Sequence, residues 1–220
     1  MYFQQDFLDF FKELHENNHK QWFDENRKRY ETFVKKPFKL FVEAMILEVQ
    51  QFEPDLITSS KESIFRINRD IRFSKDKTPY KTHVSAAIAQ GGKKSDLPGY
   101  YLQLGAEEVL IGGGAYQIEK EHLYKIRQEI AYEPEAFQKI ITNKTFKNSF
   151  GEIKGAANKI LPAEFKEDAQ KQPLIANKQF YFMTTLPSKV IVHDDLPPIL
   201  SAYFRAAKPL NDFLRRAVLG

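Results

Sequence analysis

The hydrophobic period of this chain changes twice, and that change limits the fold more than any other property. Residues 5–16 place Phe7, Leu8, Phe11 and Leu14 at helical spacing, and Asn17-Asn18 supplies a stop. A second helix is expected over residues 20–34, with Trp22, Phe23, Asn26, Tyr30 and Phe33 on one side and Arg27, Lys28 and Glu31 on the other. Pro37 suits the first turn of a third helix reaching Phe52, where a missing N–H costs nothing. That helix is apolar nearly all round and is expected to be the buried one. Beyond Glu53-Pro54 the period falls to two. Residues 64–73 set Phe65, Ile67, Ile71 and Phe73 against Arg66, Asn68, Asp70 and Arg72, a strand pattern that Arg69 interrupts on its apolar face.

Residues 84–90, 100–105 and 109–111 are further strands. Short connections at Gly91-Gly92 and Ala106-Glu107 join them, which argues for an antiparallel meander. Gly112-Gly113-Gly114 is expected to end the meander, and helices follow over residues 119–132 and 134–143. Residues 145–178 read as irregular and residues 179–185 as one more strand. Pro197-Pro198 opens a final amphipathic helix through Leu219 that carries Tyr203, Phe204, Leu210, Phe213 and Leu214. N-terminal helices, a central meander, then helices with a further strand make an α+β chain, not a βαβ alternation. Its 220 residues are expected to form one domain.

Charge narrows the search for a site. Residues 64–83 hold Arg66, Arg69, Arg72, Lys75, Lys77 and Lys81 against Asp70 and Asp76, an excess of four. The whole chain has a net charge of +4, so the other 200 residues carry 27 groups of each sign. A neutral protein with one cationic strip differs from one that is basic throughout. There is no cysteine, which removes disulfides, thiolate catalysis and zinc ribbons. The first residues show no basic leader followed by an apolar run, and the most apolar stretch, residues 38–49, is far shorter than a bilayer span. A cytoplasmic protein without a membrane partner is the expectation.

The run from Arg66 through Asn68, Arg69, Asp70, Arg72, Phe73, Ser74, Lys75, Asp76, Lys77, Thr78, Pro79, Tyr80 and Lys81 to His83 resembles the signature of a widespread microbial family of conserved hypothetical proteins, catalogued as a domain of unknown function. Asn17-Asn18 followed by Trp22-Phe23, Tyr100-Tyr101, and the three glycines before a helix containing Ile126-Arg127 are similar too. Family members tend to have a proline shortly after the glycines, where this chain has Gln117. The resemblance implies no reaction, cofactor or substrate. Function therefore has to be read from chemistry. Guanidinium forks suit phosphate and carboxylate, and clustered cations call for anionic partners.

The first expectation is a small phosphate- or carboxylate-bearing ligand held by Arg66, Arg69, Arg72, Lys75, Lys77, Tyr80 and Lys81. Arg69 is expected to be paired internally, and Gly112, Gly113 and Gly114 are a secondary anion-binding candidate through free backbone N–H groups at a turn. Against this stands a structural network in which Glu13, Glu31 or Glu62 neutralise the strip. A nucleic-acid module would use Phe73, Tyr80, Tyr100 and Tyr101 for stacking, and a scaffold would offer the strip to an acidic protein.

Catalytic constellations are thin. His15-Glu16-Asn17-Asn18-His19 spells H-E-x-x-H, but it straddles the expected end of the first helix, which spoils the one-turn spacing that zinc requires. It is expected to be a chance match, with no metal. Asp70 and Asp76 are candidate acid–base carboxylates, although their cationic neighbours favour arginine-paired, ionised side chains. His83 is a candidate base or acid, biased towards neutral by the cations before it. His193-Asp194-Asp195 reads as a helix start. No cofactor is implied, and whether the chain is an enzyme stays open.

Overall fold

The computed structural model describes all 220 residues. It begins with α1 (Gln5–Glu16), α2 (Lys20–Glu25) and α3 (Arg27–Arg29). A π-helical turn (Tyr30–Lys35) leads directly into α4 (Lys36–Gln50). A single-turn α5 (Ser60–Ser63) precedes a meander of β1 (His83–Ile88), β2 (Gly99–Gly105) and β3 (Glu108–Ala115). Then come α6 (Lys120–Tyr132), α7 (Pro134–Ile141), α8 (Lys144–Phe150) and α9 (Lys166–Lys171), with β4 (Phe180–Pro187) and α10 (Leu196–Leu219) closing the chain. The sheet is antiparallel, in the order β1-β2-β3-β4. The chain is α+β, as the period changes imply.

Contacts group the residues into two compact units. One contains Met1–Lys93, Tyr101–Ile111 and Thr185–Ser201, and the other Lys94–Tyr100, Gly112–Thr184 and Ala202–Gly220. β2, β3 and β4 each pass from one unit into the other.

The first unit is held by aromatic side chains. Phe3, Phe7, Phe10 and Phe11 of the N-terminal segment are buried with Phe38 and Phe41 of α4, and the rings of Phe3 and Phe41 meet edge-on at 5.4 Å. Burying one such ring is worth roughly 2–3 kcal/mol. α4 buries Phe38, Phe41, Val42, Met45, Ile46 and Val49, but leaves Leu40 and Leu47 exposed. It is therefore amphipathic rather than enclosed, because only one face of it meets the unit's core. In the second unit Phe146, Phe150 and Phe182 cluster, Phe137 meets Phe213, and Tyr100 meets Phe204 of α10.

Three expectations need correction and one needs refining. Pro37 does stand in the first turn of α4, but that helix is continuous with the turn before it, which widens so that the Lys36 N–H reaches the Glu31 carbonyl five residues back. The widening makes room for a ring that would otherwise strike the carbonyl four residues earlier. Residues 64–73 form no regular strand. They pair with the chain around β1 only at isolated antiparallel bridges, Ile64 with Ala86 and Asn68 with Tyr80. The two bridges differ in register by two residues, so a bulge between them breaks the ladder.

Residues 145–178 contain α8, α9 and short 3-10 turns. These are too short and polar to leave a periodic signal, and α8 starts only because the Asn143 side chain accepts from the Thr145 and Phe146 N–H groups. Finally, Gly112, Gly113 and Gly114 do not end the meander but lie inside β3. A Cβ on Gly112 or Gly114 would overlap the Phe182 or Phe180 carbonyl oxygen of β4, and one on Gly113 would overlap the Gly99 oxygen of β2. Only Gly114 has a positive φ, 96°.

Gly113→Ala should therefore be strongly destabilising, by about 3 kcal/mol or more, since neither neighbouring backbone can retreat. Urea unfolding of the variant against the parent measures this, and a loss under 1 kcal/mol would contradict the close approach.

Candidate functional site

The basic segment folds back on itself. The Phe65 N–H donates to the Ser85 carbonyl, the Lys81 N–H to Ile67, and the Arg69 N–H to Pro79, each at 2.9 to 3.0 Å. Residues 70–78 are the loop this pairing closes. Asn18 fixes its far end, since its amide donates to the Tyr80 carbonyl at 2.9 Å and its side-chain oxygen accepts from the Tyr80 N–H at 3.1 Å. The Tyr80 ring is 6% exposed and stacks on Phe23 at 4.0 Å. The Tyr80 ring therefore packs into the core instead of facing a ligand, a correction that follows from its apolar area.

Most of the loop's charge is used internally. Asp76 accepts from the Thr78 amide at 2.9 Å, from the Thr78 hydroxyl, and from Arg69 at 2.5 Å. These bonds hold its carboxyl well down, at about 2. Arg69 also donates to the Thr78 carbonyl at 3.1 Å and contacts the Thr78 hydroxyl. Arg72 closes a two-pronged fork on Asp70, at 3.0 and 2.7 Å, which lowers that carboxyl as well. Lys77 donates to the Ile71 carbonyl at 3.0 Å. The internal pairing of Arg69, and the ionised, arginine-bound state of Asp70 and Asp76, follow from the alternation of charge along the segment. Glu13, Glu31 and Glu62 take no part, being engaged with Arg29, Lys35 and Ser59.

Arg66, Lys75 and Lys81, like Lys77, are in no ion pair with a carboxylate, although Asp70 feels the charge of Arg66. Arg66 and Lys75 are exposed. Lys81 is half-buried, with its ammonium over the Phe65 ring at 5.3 Å. Burial, and then the nearby positive charge of Arg66, depress its pKa. Phe65 in turn meets Tyr101 at 6.3 Å, and the Tyr101 hydroxyl donates to Gln103 at 2.9 Å. Phe73 is 95% exposed at the loop tip, beneath the Arg72 guanidinium at 5.8 Å.

One cavity, of about 370 Å³, lies beside this cluster within the first unit. Its floor is the end of the sheet. A Cβ built on Gly105 would lie 3.5 Å from the His83 Cβ and 3.5 Å from the Glu108 carbonyl, so Gly105 sits between β1 and β3 as a notch without a side chain. Gln103 and Glu107 complete that side, while Phe11, Lys12, His15 and Glu16, from the last turns of α1, form the other. His83 is half-buried and its ring makes no hydrogen bond to the protein. Burial first, and the Lys81 charge second, push its pKa down to about 4, so the imidazole is neutral at pH 7.

The remaining candidates separate. Gly112, Gly113 and Gly114 are enclosed between β2 and β4, and α6 begins only at Lys120, so the premise of a glycine turn at a helix start does not hold. α1 stops at Glu16 and His19 caps α2, its ring nitrogen accepting from the Trp22 N–H at 3.3 Å. That break removes the one-turn spacing of H-E-x-x-H. Two features were not found in the sequence. The Gly105 cavity gathers residues some 90 positions apart. His122, in the first turn of α6, makes a short contact through Nδ1 with the Asp96 carboxylate, 26 residues away. Neither spacing leaves a local signal.

Residues 6–213 match the model of a family described as a conserved hypothetical protein, DUF2461. The chain belongs to this family. The DUF2461 match spans both units and includes the basic loop, the cavity and the glycines of β3. No curated protein and no solved structure matches the chain. No helix of this DUF2461 member is long and apolar enough to cross a membrane.

His83 gives the site a pH signature. Below pH 6.5 the unfolded chain binds a proton here that the folded chain refuses until about pH 4. Stability should fall as pH drops from 6.5 towards 4, with no contribution from this group above 6.5. His83→Gln should remove on the order of 2 kcal/mol of that loss. Urea unfolding of both proteins at pH 7, 5.5 and 4 measures it, and parallel pH profiles would refute it.

Proposed function

We propose that this protein binds a small anionic ligand, bearing phosphate or carboxylate, at Arg66 and Lys81, with Tyr101 and Gln103 beside them. The observation that carries this reading is the half-buried ammonium of Lys81, which lies over the Phe65 ring near the Arg66 charge and forms no ion pair with a carboxylate. Two like charges brought together, one of them partly desolvated, raise the free energy of the empty site, and an incoming anion lowers it. Arg69, Arg72 and Lys77 act differently. They hold the loop in shape.

In a thermal-shift titration, phosphate or citrate should raise the melting temperature of the parent protein, since a ligand that binds only the folded state stabilises it by mass action. Arg66→Ala with Lys81→Met should abolish the shift while the protein stays folded. Arg69→Ala should lower the starting stability and retain a shift. Equal shifts in the parent and the double variant would refute the site.

A single-stranded nucleic acid is the second reading, favoured by the exposed Phe73 ring under Arg72 and beside Lys75. Base stacking on an aromatic ring is worth about 1–3 kcal/mol, and such binding weakens steeply with salt. Fluorescence anisotropy with a labelled oligonucleotide at two salt concentrations, for the parent and Phe73→Ala, tests it. No Phe73-dependent binding at low salt would rule it out.

A further inference from the structure

We propose that Lys81 is a nucleophilic amine that captures an aldehyde or ketone as an imine. The inference rests on the anionic reading of this site and names its ligand as a carbonyl compound bearing a carboxylate or phosphate.

Three lysines of the chain are half-buried, Lys81, Lys93 and Lys208. The Lys93 ammonium donates to the carbonyls of Lys61 and Glu62, and that of Lys208 pairs with Asp212 at 2.5 Å. Lys81 differs. Its nitrogen lies 5.3 Å from the centre of the Phe65 ring, and no oxygen of the protein accepts from it. Both ends of this contact are fixed. The Lys81 N–H donates to the Ile67 carbonyl at 2.9 Å, the Phe65 N–H donates to Ser85 at 3.0 Å, and the Phe65 ring rests against Tyr101.

An ammonium drawn partly out of water and given no acceptor loses solvation that an exposed one keeps, which favours the neutral amine. Burial acts first on Lys81, and the positive charge of Arg66 works in the same direction. Apolar surroundings and a second cation are the usual means of turning a lysine into a nucleophile.

The nitrogen lone pair attacks the carbonyl carbon, and one N–H proton passes to the oxygen to give a carbinolamine. The hydroxyl then leaves with the second N–H proton as water, and a C=N bond replaces C=O. By taking up a proton from solvent the imine restores the positive charge of the ammonium it replaces. The ligand's own carboxylate or phosphate is then attracted to it as well as to Arg66.

Reductive trapping tests the assignment. The protein is treated at pH 7 with glyoxylate or acetaldehyde and cyanoborohydride, and peptide mass spectrometry follows each lysine. Lys81 should be alkylated about tenfold faster, or more, than exposed Lys28. Glyoxylate should raise that ratio above the acetaldehyde value in the parent and not in Arg66→Ala. Phe65→Ser, which lets water reach the amine, should bring Lys81 down to the rate of Lys28. If Lys81 of the parent reacts no faster than Lys28 while phosphate still raises the melting temperature, the imine inference fails and the anion site stands. If Lys81 reacts faster but the two aldehydes give one ratio, the carboxylate plays no part and the assignment of an anionic carbonyl ligand fails. With neither selective alkylation nor a phosphate shift, both readings fall.

Discussion

The loop in the middle of the basic segment keeps its shape by engaging the charges on and beside it. Asp76 draws in the Thr78 amide, its hydroxyl and the Arg69 guanidinium, and Asp70 is gripped by Arg72. Solvent-exposed pairs of this type contribute at most about 1 kcal/mol each, so they cannot anchor the loop alone. The anchor is Tyr80. Its ring is buried against Phe23 and its backbone is bracketed on both polar groups by Asn18. With that end fixed, the ion pairs need only order the few residues beyond it. Every cation engaged in this way becomes unavailable to a ligand. A formal excess of four over residues 64–83 thus resolves into four side chains in no ion pair with a carboxylate, Arg66, Lys75, Lys77 and Lys81, of which Lys77 is held by a backbone carbonyl and only Lys81 is partly shielded from water.

Those parts of the fold that depend on local periodicity were legible. α1, α6, α7 and α10, and the three strands of the meander, follow from spacing alone. What escaped was decided by contacts between distant residues. The glycines of β3 look like a turn because a run of glycine has no side chain to pack, yet that same property lets β2 and β4 come within contact of the β3 backbone. Residues 64–73 have strand alternation, but the bulge that breaks their ladder comes from a change of register against residues 80–86, which no pattern within the segment encodes. Pro37 falls in the first turn of α4, as its missing N–H allows, but no signal in the sequence shows that the helical chain before it does not stop and instead widens by one turn to pass into α4.

The site was half legible. Which segment concentrates charge can be counted from residue types, and the pairing of Arg69, Asp70 and Asp76 could be argued from sign and spacing. Tyr80 could not be placed. A tyrosine beside lysines fits stacking on a ligand as well as it fits a core, and its assignment turns on Phe23 and Asn18, more than fifty residues earlier. The cavity was invisible for the same reason. Its walls come from the end of α1 and from two separate strand ends, and its floor is the absence of a side chain at Gly105.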